Sequence, residues 1–212
     1  MTKVKGRIEE VLSGKVGGIV FVQMRGQTYA RTSPRKRNPK DWSESQKAHR
    51  SRFSALIHFA KKFKRKVIVP IWNKAALNSQ MSGYNLFVKT NNPAFDARGQ
   101  LADPGSLHFS QGPLQLPYQL KAKLNAVNPQ LIDVSWKNQL QGTEYDTDNL
   151  MTVIYSGDTF SDPEDTGFKR RDEQVQLSLP PDSGLDPYIY LFFYNKKQEI
   201  YSNDQAFCLG VS

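Results

Sequence analysis

The sequence predicts an α+β protein in which a basic N-terminal β-hairpin with helices precedes an all-β sandwich. Three observations carry this reading. Residues 14–32 form a glycine-punctuated, β-branched run; residues near 44–65 show one apolar and one basic helix face; and short strand patterns recur from residue 107 onward.

Val16–Met24 is rich in β-branched residues (Val16, Ile19, Val20 and Val22), and Thr28-Tyr29-Ala30-Arg31-Thr32 follows the turn signal Arg25-Gly26-Gln27. A hairpin is expected, and its period of two places Tyr29 and Arg31 on one face. That pair can stack on a nucleobase, and it also suits an ordinary exposed strand. Residues 33–40 set Arg35, Lys36, Arg37 and Lys40 around two prolines with nothing apolar to bury, which predicts an extended basic arm.

Helix signals follow at once. Asp41 or Ser43 can serve as N-cap, and Ser43 with Gln46 matches a capping box. At about 100° per residue, Phe53, Leu56, Ile57, Ala60 and Phe63 share a packing face, while Lys47, Arg50, Ser54, His58, Lys61 and Arg65 share the opposite one. Lys61–Lys66 gathers cations at the expected C-terminal end, where the helix dipole favours them. Val67–Trp72 reads as a short apolar run ended or kinked by Pro70. A second helix is expected over 72–90, breakable at Ser82-Gly83 and stopped by Asn91-Asn92-Pro93, with a loop over 93–106.

Strand candidates then crowd together: 107–110, 121–124, 131–136, 150–155, 174–179, 188–194 and 207–211. Roughly seven short strands in about 100 residues suit a β-sandwich. Two domains are expected, a basic hairpin, arm and helical module over 1–118 and the sandwich over 119–212.

Charge divides the chain in the same sense. Residues 1–80 hold 19 Lys/Arg against 4 Asp/Glu, and residues 81–212 hold 10 against 16. No apolar run approaches the ~18 residues of a membrane-spanning helix, and Met1–Glu10 lacks the apolar stretch of a secretory signal, so no membrane partner and a cytoplasmic location are expected. The one cysteine, Cys208, lies between Phe207 and Leu209 and reads as a buried structural thiol.

Motifs for chemistry are sparse. Gly14-Lys15-Val16-Gly17-Gly18 lacks P-loop order and leads into a strand. His49, His58 and His108 have no ligand spacing. The acidic stretch 158–165 lacks the order of a calcium loop and reads as a solvated turn between strands. No nucleophile elbow is present. No catalytic residue, metal site or cofactor is expected, and the protein reads as a non-enzyme.

Leu12–Phe21, Arg25–Arg31, Asn38-Pro39 and the Gln46/Arg50/Phe53 helix together resemble a family of uncharacterised Bacteroidetes proteins, and the opening also resembles shorter phage-associated proteins. The likeness continues through Ser110-x-Gly112-x-Leu114 and into 175–180 and 188–193, which look like late strands of an immunoglobulin- or fibronectin type III-like domain. The resemblance implies that architecture and carries no activity.

Function therefore rests on the basic half. Arg25, Tyr29, Arg31, Arg35, Lys36, Arg37, Lys40, Trp42, Lys47, Arg50, Lys61 and Arg65 are the candidate nucleic-acid-binding residues, with cations for phosphates and Tyr29 and Trp42 for stacking. The expected partner is a nucleic acid or ribonucleoprotein held by its backbone, because no base-reading motif is present. The alternative is a structural or assembly protein, related to a virion or mobile element, whose arm packs on an acidic protein surface or a neighbouring copy.

Overall fold

The computed structural model describes residues 2–3, 13–24, 27–34, 42–77, 79–181, 183–184 and 186–210, and the chain forms two compact units, Met1–Ser43 and Glu44–Ser212.

In the N-terminal unit, β1 (Thr2–Lys3), β2 (Gly14–Val16), β3 (Ile19–Met24) and β4 (Gln27–Thr32) form an antiparallel sheet in the order β1-β4-β3-β2. Gly17 turns the chain between β2 and β3 at φ +57°, a left-handed conformation open to glycine without strain. The expected hairpin is β3–β4, with Val22 opposite Tyr29 and Val20 opposite Arg31.

The second unit begins with α1 (Glu44–Lys62), directly after Ser43. Its buried side chains are Leu56, Phe59 and Ala60, and Phe63 follows them into the core. This facet lies about 50° around the helix from the expected one. Phe59 takes the place of Phe53, which is 48% exposed. The reason is aromatic packing: the Phe59 ring meets Phe63, Phe87, Phe95, Phe109 and Phe160 at centroid distances from 5.0 to 6.1 Å.

Helical hydrogen bonding does not end near 65. It resumes as a π-helix over Lys64–Trp72 and a single turn, α2 (Asn73–Ala75). The Phe63 carbonyl accepts from both Val67 N at 2.9 Å and Ile68 N at 3.0 Å, so the spiral widens there. Pro70, expected to end or kink the apolar run at 67–72, sits inside the π-helix. It cannot donate an N–H, and the burial of Val67, Ile68, Ile71 and Trp72 holds the turns that its missing bond would weaken. After residues 76–82, α3 (Gly83–Asn91) starts on Ser82, whose hydroxyl accepts from Asn85 N at 3.2 Å. A Cβ on Gly83 would lie 2.4–2.6 Å from atoms of Asn73 and Trp72. The helix expected over 72–90 is thus interrupted after Ala75, and Ser82-Gly83, expected as its break, instead starts α3 in a close approach that leaves no room for a side chain.

Residues 107–110, expected as a strand, are not one. Leu107 and Phe109 are buried, but side chains satisfy the backbone in place of a neighbouring strand. Asn91 accepts from His108 N at 2.7 Å and donates to His108 O at 3.0 Å, Asp204 accepts from Phe109 N at 2.7 Å, and Trp72 donates to Phe109 O at 3.0 Å.

The β-rich remainder comprises β5 (Tyr118–Leu124), β6 (Leu131–Lys137), β7 (Asn149–Ser156), β8 (Thr159–Phe160), β9 (Glu164–Lys169), β10 (Gln174–Ser178), β11 (Tyr188–Asn195), β12 (Ile200–Tyr201) and β13 (Gln205–Cys208). One sheet has the order β10-β6-β5. The other has β11 and β7 at its centre, with β12 and β13 along the outer edge of β11 and β8 and β9 along the outer edge of β7. Strand β9 lies partly inside the acidic stretch read as a solvated turn, and pairs Asp165 with Met151 and Glu164 with Thr152.

Strand β11 is buried on both faces. Ile189, Leu191 and Phe193 join Ile132, Val134 and Trp136 of β6 in one core, while Tyr190 and Phe192 join Phe59, Phe87 and Phe109 in the other. The second unit is thus layered as helices, central sheet and outer sheet.

A buried ion pair closes one end of the inter-sheet core. Arg170 Nε donates to Asp148 Oδ2 at 3.0 Å, both side chains are fully buried, and the guanidinium carbon lies 4.6 Å from the Phe193 ring centroid. Asn195 donates to the other Asp148 oxygen at 2.7 Å, and the second Arg170 nitrogen donates to Gln115 O at 2.7 Å. Burial pushes the Asp148 carboxyl up and the Arg170 guanidinium down from their ordinary values. Arg170→Met should therefore destabilise the protein by about 3–5 kcal/mol, because Asp148 is left buried and unpaired. Asp148→Leu combined with Arg170→Met should recover most of that loss; equal urea-unfolding midpoints for the single and double variants would contradict this.

Candidate nucleic-acid interface

In the N-terminal unit, Arg31 is exposed on β4, and Tyr29 is half-buried with its hydroxyl donating to Gln27 Oε1 at 2.8 Å. Arg31 lies opposite Val20, which lies opposite Lys15 on β2, so one cross-strand row carries two cations, with Tyr29 on the same sheet face. Lys15 is a residue the sequence reading passed over as part of a glycine-rich turn. The signal for it was the turn at Gly17-Gly18, which fixes the register. Arg25, Arg35, Lys36, Arg37 and Lys40 lie outside the described residues. Trp42 is half-buried ahead of α1.

In the second unit, Lys47, Arg50 and Lys61 are exposed on the outer face of α1, and Arg65 is exposed in the first turn of the π-helix. With 1.5 Å of rise per residue, Lys47 and Lys61 stand about 21 Å apart. Between them runs a shallow groove of about 770 Å³, where Arg50, Ser54 and Lys61 meet the exposed Phe53 ring. Phe53 was expected in the core. Its displacement puts an aromatic ring beside cations, the arrangement that Tyr29 and Arg31 were singled out for.

Pairing divides the cations of this unit into two sets. Lys47 meets Glu44 at 2.7 Å, Lys74 meets Glu199 at 2.7 Å, and Lys66 pairs with Asp162. Among the described residues, no carboxylate pairs with Lys61, Lys62, Lys64 or Arg65, all of them exposed.

Cys208, expected to be buried, is exposed at the end of β13, and several other groups that could carry chemistry are committed to neighbours. The acidic stretch disperses its carboxylates: Asp158 accepts from Tyr155 at 3.0 Å, Asp162 holds Lys66, and Asp165 accepts from Gly167 N at 3.0 Å and from Asn149. His108 Nδ1 lies 3.0 Å from Asp204 Oδ1, a pair separated by 96 residues that no local pattern revealed. The nearby Ser110 hydroxyl donates to Ser202 O at 2.6 Å and is buried. Among the described residues, no group of three His, Cys, Asp or Glu side chains is arranged to hold a metal ion.

Fold and surface together define an α+β protein that carries, along one helix, cations without a carboxylate partner among the described residues and an exposed phenylalanine, and cations beside a tyrosine on a small sheet. No protein-family model, curated protein or solved structure matches the chain.

The His108–Asp204 pair has a measurable consequence. The hydrogen bond to Asp204 raises the imidazole pKa above its ordinary 6.5, against the opposing effect of burial. The folded state therefore binds this proton more tightly than the unfolded chain. The resulting stabilisation is complete below about pH 6.5 and fades as pH rises through the folded value. Denaturant midpoints from about pH 6 to about pH 8.5 should fall more steeply for the native protein than for His108→Gln, and identical profiles would refute the assignment.

Proposed function

We propose that this chain is a non-enzymatic protein that binds nucleic acid or ribonucleoprotein, gripping the phosphate backbone through its basic N-terminal residues and the outer face of α1. The observation that carries the reading is the cluster of exposed cations at Lys61, Lys62, Lys64 and Arg65, which pair with no carboxylate among the described residues and are continuous with Arg50 and Phe53. Phosphates would satisfy the cations, and a stacked base would cover the ring. The contact is backbone-led, since flexible lysines act as point charges and carry no base code.

We further infer that residues 118–210 are an immunoglobulin- or fibronectin type III-like sandwich serving as a protein-interaction module. Two features support this: β5, β6 and β10 share one sheet while β7, β9, β11 and β13 share the other, and the two sheets enclose one apolar core. A second reading, assembly with neighbouring copies, draws on Val16 and Ile19, which are 60% and 45% exposed on the N-terminal sheet. Concentration-dependent sedimentation without nucleic acid would favour that reading.

Salt separates the main proposal from a passive surface. If six to ten cations reach phosphates, affinity for random-sequence DNA or RNA should fall by ~10³–10⁵ between about 50 and 200 mM salt. Lys61→Gln with Arg65→Gln should weaken binding uniformly across sequences and reduce the slope of log affinity against log salt by about 2. Absent or salt-insensitive binding in a filter assay would overturn the proposal.

A further inference from the structure

A second concavity opens on the other flank of α1. It is a cleft of about 790 Å³ between the helix, the 95–101 loop and the β7–β8 hairpin, within the size range of small-ligand sites. Its floor is aromatic. Tyr155 and Phe160 stack with centroids 4.5 Å apart and planes at 29°, and Phe59 meets Phe160 edge-on at 5.4 Å. Tyr155, Phe160 and Leu101 are each half-buried, so part of this apolar floor faces the opening.

The rim is polar and unequal. On the helix side stand His58 and the unpaired Lys62; on the far side stand the Gln100 side chain and Asp158. Tyr155 donates to Asp158 at 3.0 Å, which leaves the other carboxylate oxygen able to accept a hydrogen bond. His58 also lines the groove that carries Arg50, Phe53 and Lys61, so the cleft and the cationic face share a wall.

We propose that this cleft takes an unpaired nucleobase from a single strand whose phosphates run along the outer face of α1. The inference rests on the phosphate-binding reading above and adds to it the form of nucleic acid bound. A nucleobase is flat, has a π-face to lay on the open side of the Tyr155–Phe160 stack, and carries edge groups for an amide and a carboxylate. Its 5′ and 3′ phosphates meet Lys62 on one side and Lys61 beyond His58 on the other. A base in a duplex is stacked on its neighbours and cannot enter, so the cleft selects for single strands.

The test compares a labelled oligonucleotide single strand with an abasic strand of the same length, which keeps the phosphates and removes the bases. Both are titrated against the whole protein at fixed salt, as DNA and as RNA. The intact strand should bind at least about 5-fold more tightly, the low end of the ~1–3 kcal/mol per stacked base, with the base over Phe53 adding its own share. Leu101→Trp, which fills the cleft, and Gln100→Ala, which removes an exposed amide, should shrink that difference while binding to the abasic strand stays unchanged. Thermal melts establish that both variants fold, and the comparison on the native protein needs neither. Equal affinity for intact and abasic strands would overturn the cleft assignment and leave the phosphate grip standing. An undiminished difference in folded Leu101→Trp would move the base elsewhere and overturn it too. No binding to either strand would overturn both proposals.

Discussion

The second unit depends on one strand with no solvent face. Over Tyr188–Asn195, β11 is apolar almost without interruption, as expected of a strand covered on both sides. Its odd-numbered residues 189, 191 and 193 demand a second sheet, and its even-numbered residues 190 and 192 demand a helical layer. Neither layer is optional, because either apolar row left in water would forfeit about 25 cal/mol per Å² of buried surface. Polar atoms along the strand are matched in turn: the Tyr190 hydroxyl donates to Pro104 O at 2.6 Å, and Phe193 N donates to Ser202 Oγ at 2.8 Å. The Arg170–Asp148 pair seals the same strand at Phe193 and Asn195.

That demand sets the helical layer, and the layer sets the surface. Phe59, Phe63, Phe87, Phe95 and Phe109 cluster beside Tyr190, and their packing fixes how α1 is turned about its axis. Once Phe59 points inward, Phe53 lies at the boundary and Arg50, Ser54 and Lys61 point outward. The cationic face follows from core packing, and so does the ring exposed within it. The aromatic cleft on the other flank has the same origin, since Phe59 and Phe160 serve the core and the cleft at once.

What the sequence made legible was whatever depends on local period. The α+β class, the first hairpin, the basic face of α1 and most strands follow from spacings of two or 3.6 residues, whereas the helix expected over 72–90 resolves into one turn ending at Ala75 and a separate α3 from Gly83. Residues 107–110 show the limit: their alternation is real and their burial is real, but the hydrogen-bond partners are the side chains of Trp72, Asn91 and Asp204. Strand β9 was hidden for the converse reason, because Glu164 and Asp165 are exposed and disguise a ladder that only β7 defines. The charge step near residue 80 reports composition; the compact units divide at 43 and 44. Lys15 and Phe53 lay hidden as site residues because sheet register and helix rotation are tertiary facts.

The cations around residue 63 bear most directly on the proposed function. Read as a helix ending near 65, Lys61, Lys62, Lys64, Arg65 and Lys66 sit against a negative dipole end and need no further explanation. The hydrogen-bonded spiral in fact runs on through the π-helix to Ala75, with Phe63 O engaged twice. A dipole contribution falls off within the last turn, and the last turn of the extended spiral is nine or more residues away from Lys64. Lys66 has Asp162, but its neighbours have no carboxylate among the described residues. Like charges this close repel one another, and neither the backbone nor the core offsets that repulsion. Water and salt screen it, and in the proposed reading the phosphates of a polyanion would relieve it for several of them at once.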